Sequence, residues 1–318
     1  MANRFHMWKS EKENKSAKGN TREEKTAKFT EDALQLLEIL GGENQKIKNF
    51  LINSYKSLPV SLETKEEFYN YFITHSVFSA ATAANPASSV ITELLYEGKE
   101  KLNLPSPIDQ YFLRSKAGRS IKARLNAVEE ELPKIIEEYR RKGKVLIGNL
   151  GSGPGRDVIN VFSAYYQNTP GIEAIHVDKD KLALERGKRM AKIKQVSHLI
   201  KFVEENFLKY KPEEKFDIVL LIGMLCPLDF HLCVMILKKI KRLFKKGGCL
   251  LASNVSKKML EEDPFTCHLM SLGNWKMVFK DAEELKQIYK RAGYQWERYF
   301  TDLYGFNIMG VGIPRFYF

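Results

Sequence analysis

The sequence has no apolar run long enough to cross a membrane: its longest, Ile218 to Leu228, falls well short of the roughly 20 residues that a helical span requires. Met1 to Ser10 also lack the apolar core of a secretory signal, and charged residues follow at once. The two absences predict a cytoplasmic protein with no transmembrane helix. Cysteine is scarce. Cys226, Cys233, Cys249 and Cys267 have no CxxC spacing and share one apolar-rich third of the chain, which argues against a zinc site or a disulfide framework and for reduced, buried thiols. No metal site is expected, and no internal repeat is present. A compact basic stripe interleaved with aromatics is missing too, although the net charge is +12. Residues 1–28 hold eight Lys/Arg against four Asp/Glu, a net of +4, and the remaining +8 is dispersed, which fits a solvated surface better than a nucleic-acid footprint.

What is present describes an ordinary globular protein. The 318 residues are 44% hydrophobic and 28% charged, enough for one α/β domain with a smaller accessory region. Residues 1–28, rich in Lys, Glu, Asn, Ser and Thr, cannot repay the entropy of ordering and read as a flexible tail. From Phe29 apolar residues recur at helical spacing (Ala33, Leu34, Leu36, Leu37, Ile39, Leu40) until Gly41-Gly42 stops the run. Further helices are expected near 44–57, 62–82, with Thr64 and Glu67 as a capping box, and 87–101. Residues 29–118 thus form a helical N-terminal region. Pro105 and Pro107 punctuate the chain, and a helix over 119–141 puts Ile121, Leu125, Val128, Leu132, Ile135 and Ile136 on one face.

Beyond it, over 119–318, strand and helix alternate. Strands are expected at Val145–Leu150, Glu173–Val177, Lys201–Val203, Ile218–Ile222, Cys249–Ser253, Gln295–Thr301 and Asn307–Ile313, and helices near 155–166, 180–194, 231–244 and 281–292. Such alternation predicts a Rossmann-like, mostly parallel seven-stranded sheet covered on both faces. The loop Asp302–Phe306 is too short for a parallel crossover, so the last strand must be antiparallel in a hairpin.

The strongest local feature is Val145-Leu-Ile-Gly-Asn-Leu-Gly-Ser-Gly-Pro-Gly155, an apolar strand that runs into glycines at 151, 153 and 155 and then a helix. Glycine serves where a backbone turns with positive φ or must approach a ligand without a Cβ. By itself such a turn cradles a nucleotide or nucleoside or simply turns. The dinucleotide spacing is not met, because its third glycine position falls on Arg156. Asp178 follows 27 residues after Gly151 at the tip of the second strand, where a carboxylate can accept both ribose hydroxyls of an adenosine or cap the next helix.

These residues, with Glu205-Asn206-Phe207, Phe216-Asp-Ile-Val-Leu-Leu-Ile-Gly223, Leu237 through Gly247-Gly-Cys-Leu-Leu251 and Asp281 through Gly293-Tyr294, resemble the ordered motifs of class I methyltransferases that use S-adenosylmethionine (SAM). The resemblance spans about 144–318. It implies that Gly151, Ser152, Gly153 and Gly155 line the methionine and ribose parts of SAM and that Asp178 holds the ribose. It further implies that Asn206 and Phe207 meet the adenine and that Ile222 and Gly223 border the sulfonium. At Asn149 the family usually has an acid. An amide accepts a hydrogen bond but lacks the charge that favours an ammonium, which implies either weaker cofactor binding or another acid in that role. The Asn-Leu-x-x-Gly-Pro pattern, with Pro107 to Phe112 and Gly118 to Arg124, is similar to bacterial methyltransferases that esterify hydroxy fatty acids, which implies that the N-terminal helices cover a lipid-like substrate.

After the fourth strand the chain reads Met224-Leu-Cys-Pro-Leu-Asp-Phe-His231. The absence of Asn-Pro-Pro-Tyr or Asp-Pro-Pro-Tyr counts against amino methylation of nucleobases. Cys226 precedes its proline and is not read as a nucleophile. Met224 and Cys226, with Tyr111 and Arg114 from the preceding segment, are the substrate-side candidates. Arg119 belongs with them as a lid residue or as ordinary surface charge. His231 is a candidate base or simply a residue at a helix start, and Asp229 is that helix's N-terminal charge. The expected function is methyl transfer from SAM to a small molecule, at a carboxylate or hydroxyl on an apolar compound. The rivals are an RNA methyltransferase and a non-catalytic SAM or nucleoside sensor.

Overall fold

The computed structural model describes residues 78, 89–97, 107–263, 266, 267, 270, 275 and 277–316. The chain divides into two units, Met1–Tyr69 and Asn70–Phe318, and every described residue lies in the second. The tail over 1–28, the helices read at 29–40 and 44–57, the Thr64–Glu67 capping box and, but for Phe78, the helix at 62–82 lie outside the described residues.

The helices are α1 Ser89–Glu97, α2 Pro107–Arg114, α3 Lys116–Arg140, α4 Arg156–Val161, α5 Lys181–Ile193, α6 Phe230–Ile240, α7 Lys257–Glu262 and α8 Ala282–Arg291. The strands are β1 Val145–Leu150, β2 Ile172–Asp178, β3 Ile200–Glu204, β4 Phe216–Leu221, β5 Phe244–Val255, β6 Tyr294–Thr301 and β7 Asn307–Pro314. They make one sheet in the order β3-β2-β1-β4-β5-β7-β6. The first five pair in parallel, and β7 runs antiparallel to both β5 and β6. The expected seven-stranded, mostly parallel sheet with its antiparallel final strand is what forms.

Strand periodicity builds the two cores. Val145 and Ile147 of β1 and Ile218 and Leu220 of β4 pack on one face beneath Val128, Leu132, Ile135 and Ile136 of α3. Leu146 and Leu150, with Val219 and Leu221, point to the other face, against Leu237 of α6 and Leu285 and Ile288 of α8. A strand covered on both sides has no polar face, which is why β1 is buried at every position. Helix α3 begins three residues earlier than its apolar pattern suggests, because Ser115 caps it by accepting from the Gly118 N–H at 2.9 Å. The proline pair hides α2, since Pro107 occupies its first position, where a missing N–H costs nothing.

The sheet order reverses at β1, flanked by β2 on one side and β4 on the other. Loops leaving the C-terminal ends of these strands diverge to opposite faces, and the crevice between them is where an open α/β sheet takes its ligand.

Candidate functional site

A cavity of about 470 Å³ opens at this crevice, within the roughly 300–1,000 Å³ typical of small-molecule sites. Its wall includes Asn149, Gly151, Ser152, Gly153, Asp178, Asn206, Phe207, Ile222, Gly223, Met224 and Cys226, so the turns after β1, β2, β3 and β4 converge on one space. Gly151, Gly153 and Gly155 take φ of +63°, +53° and +74°, a left-handed run that residues with a Cβ resist. Gly155 is not on the wall but supports it from behind. A Cβ there would lie 2.0 Å from the ring of His176, which is wholly buried beneath the turn.

Asp178 fixes the turn. Its Oδ2 accepts from the Gly153 N–H at 2.7 Å and its Oδ1 from the Asp180 N–H at 2.8 Å. Each oxygen keeps a lone pair for a ligand hydroxyl. The helix-capping role considered for it falls to Asp180, which accepts from the Ala183 N–H. Asn206 is exposed and its Oδ1 accepts from the Leu208 N–H at 2.9 Å, shaping the bend that buries the Phe207 side chain.

The acid missing at Asn149 is present next door. Asn149 Nδ2 donates to Asp157 Oδ1 at 3.0 Å, and Asp157, only 9% exposed in the first turn of α4, lines the cavity. Burial pushes the Asp157 carboxyl above its usual range, against the opposing pull of the Val158 N–H, the Asn149 amide and Arg124. A carboxyl group is thereby placed at the site through an amide intermediary. Motif spacing alone pointed to position 149 and missed it.

Two arginines were also missed. Arg156, which breaks the dinucleotide spacing, forms an ion pair with Glu93 of α1, where Nε donates to Oε2 at 3.0 Å. That pair, with Arg186 Nη2 donating to Ser89 Oγ at 2.9 Å, pins α1 to the cavity, whose wall includes Ser89, Thr92, Glu93 and Tyr96. Arg124 lies on α3 and is 6% exposed, three residues after Ile121 and four before Val128, on the apolar stripe itself. A charge in that register is the signal that would have marked it.

On the β4 side, Gly223 donates its N–H to Ser253 Oγ at 2.7 Å. Cys226 is buried, and burial raises its thiol pKa, which disfavours a thiolate. The loop is held by Lys280, whose buried ammonium donates to the carbonyls of Leu225, Leu228 and Val278 and to Asn254 Oδ1 at 2.7 to 3.4 Å. Burial lowers its pKa.

Four candidates sit off the cavity. His231 is exposed at the start of α6, a helix capped by Asp229, which accepts from the Leu232 N–H at 2.8 Å. Tyr111 donates toward Asp263 and accepts from Thr266. Arg114 is exposed, and Arg119 lies over the Tyr304 ring at 5.6 Å.

Residues 141–293 match a family model described as a methyltransferase domain. No curated relative matches the sequence. Among solved structures, the chain is similar to a possible exported protein of Bordetella parapertussis, with 14% identity over 93% of this chain and 97% of that one and a TM-score of 0.61. It is also similar to the magnesium protoporphyrin IX methyltransferase of Synechocystis. With SAM bound, that enzyme gives 10% identity over 76% of this chain and 98% of that one, at a TM-score of 0.52. With S-adenosylhomocysteine bound, the values are 12%, 75%, 100% and 0.54. Identities this low speak for the fold alone. Sheet order, glycine turn and structural likeness agree on the fold of the class I SAM-dependent methyltransferases, and residues 141–293 are the part that matches the methyltransferase-domain model.

Proposed function

We propose that this protein transfers a methyl group from SAM to a small molecule, at a carboxylate or hydroxyl on an apolar compound. The observation that carries this reading is the single cavity in which the glycine turn, Asp178, the Asn206–Phe207 bend and the Asn149–Asp157 pair face one another. The donor set fits the cofactor: a carboxylate for the ribose, an acid for the ammonium and backbone without Cβ atoms where the chain must come close.

SAM supplies an electrophilic methyl group, so a strong base is optional and alignment matters most. In this reading Asp178 accepts the ribose hydroxyls, Asn206 and Phe207 border the adenine, and Asp157, steadied by Asn149, faces the ammonium. Gly223 and Ile222 flank the reacting sulfur. The apolar wall of Ile121, Leu125, Ile236, Val255, Trp275 and Met277 receives the acceptor and excludes water. The protein is further proposed to act in the cytoplasm, which fractionation of the producing cells checks.

Calorimetric titration with SAM and S-adenosylhomocysteine tests the cofactor half. Wild type should bind both, and Asp178→Ala should weaken binding roughly 10- to 100-fold. Wild type that binds neither at millimolar concentration would overturn the reading. Transfer of label from SAM to the small-molecule fraction of a cell extract tests the enzyme half, and its absence would leave a sensor.

A further inference from the structure

Among the described residues, Arg124 is a buried charge with a single side-chain hydrogen bond. Its guanidinium stays ionised at any physiological pH, and its side chain is almost completely buried at the cavity wall. Nη2 donates to the Tyr96 hydroxyl at 3.2 Å, and Nε has no hydrogen-bond partner. Among the described residues no carboxylate forms an ion pair with it. Asp157 lies close enough to act electrostatically, but its Oδ1 is committed to the Asn149 amide and the Val158 N–H. The guanidinium sits beside Gly223 at the C-terminal end of β4, where a Cβ would come within 3.4 Å of Nη1. The Tyr96 oxygen already accepts from Arg124, so its own O–H is left to donate.

A buried cation without a counter-ion is costly unless a ligand completes it. The ligand must be an anion, and the planar fork of a guanidinium matches the two oxygens of a carboxylate. We propose that Arg124 and Tyr96 form a carboxylate-binding site in the inner wall of the cavity. The proposal rests on the SAM-binding reading given above. Two ligands bring a carboxylate to this place: the methionyl end of the cofactor, whose ammonium would meet Asp157, and an acidic methyl acceptor presented beside Gly223.

Paired ligands that differ only in the carboxylate distinguish the sources. Wild type, Arg124→Gln and Arg124→Lys are titrated with S-adenosylhomocysteine and with its decarboxylated analogue, then, saturated with the former, with octanoate and octanol. If the cofactor is the ligand, Arg124→Gln weakens S-adenosylhomocysteine roughly 10- to 100-fold and leaves the decarboxylated analogue unchanged, with Arg124→Lys between. If the acceptor is the ligand, octanoate shows that loss while octanol and S-adenosylhomocysteine do not. Either pattern supports the site. Equal loss within each pair, or no change in any carboxylate ligand, overturns it. Ligand-free Arg124→Gln should melt at or above the wild-type temperature, and a clear fall would mark the arginine as structural and overturn the proposal as well. Failure of wild type to bind either nucleoside sinks the SAM reading and is seen before any variant is made. Tyr96→Phe should reproduce the selective loss at smaller size.

Discussion

At the scale of single residues, the site is defined by side chains that the interior tolerates only at a cost. His176 is wholly buried under the glycine turn, packs edge-on against Phe202 at 5.0 Å and makes no well-formed hydrogen bond through either ring nitrogen. Burial drives its pKa from 6.5 to about 3, against a weaker pull from the Pro154 backbone. Between those two values the unfolded chain binds a proton that the folded one refuses. Stability therefore rises with pH through this window, is fully present above about 6.5 and is lost as pH falls toward about 3. Replacing His176 by Leu should flatten the acid side of the stability profile by up to about 1.4 kcal/mol per pH unit, read from urea melts at successive pH values. An unchanged slope would show that the ring is protonated in the fold. Gly155→Ala combines a left-handed φ with a clash on the same ring and should cost about 2–4 kcal/mol in a urea melt at neutral pH. The three glycines and Asp178 stood out because a turn without Cβ atoms and an acid at a strand tip are local patterns. Arg124 and Asp157 did not, since a lone charge on a helix looks like surface until the face it shares with Ile121 and Val128 is known to be buried.

At the scale of elements, the strands and long helices were readable because burial on both faces leaves continuous apolar runs in β1 and β4, and burial on one face leaves the stripe of α3. The antiparallel β7 followed from a connection too short for anything else. Helix α2 was hidden by its leading proline, and α7, with six residues, is too short to display a period. Packing of α3 onto the sheet supplies a direct check: Leu132 is fully buried, and Leu132→Ala should destabilise the protein by about 2–5 kcal/mol with no change in ligand specificity. Two carbonyls of the loop after β4 converge on one side chain from outside it. Lys280→Met keeps the length of the side chain and removes the ammonium that gathers the Leu225 and Leu228 carbonyls. The amides of Leu225, Cys226 and Leu228 should then exchange with solvent several-fold faster, while those of β1 remain protected.

At the scale of the whole molecule, the charge of +12 poses the question of nucleic acid. The cavity answers with Arg124, Arg156 and Lys179 set against Glu93, Asp157, Asp178, Asp180 and Glu205, a mixed lining unlike a phosphate track. Binding to RNA should consequently be weak and vanish with added salt, measured by titration across a range of ionic strength. Tight binding that persists near physiological salt would revive the RNA-methylating alternative. The same cavity has a wall of unequal permanence. Strand ends and the turns after them line much of it, and α1, nine residues long and too short to hold its shape alone, lines another part, held there by contacts that include the Arg156–Glu93 pair and the Ser89 hydroxyl. A short helix tied to the rim by an ion pair would set a clock: with release of spent cofactor gated by its opening, the first turnover should outrun those that follow, and Glu93→Gln should speed the later ones while leaving the first unchanged.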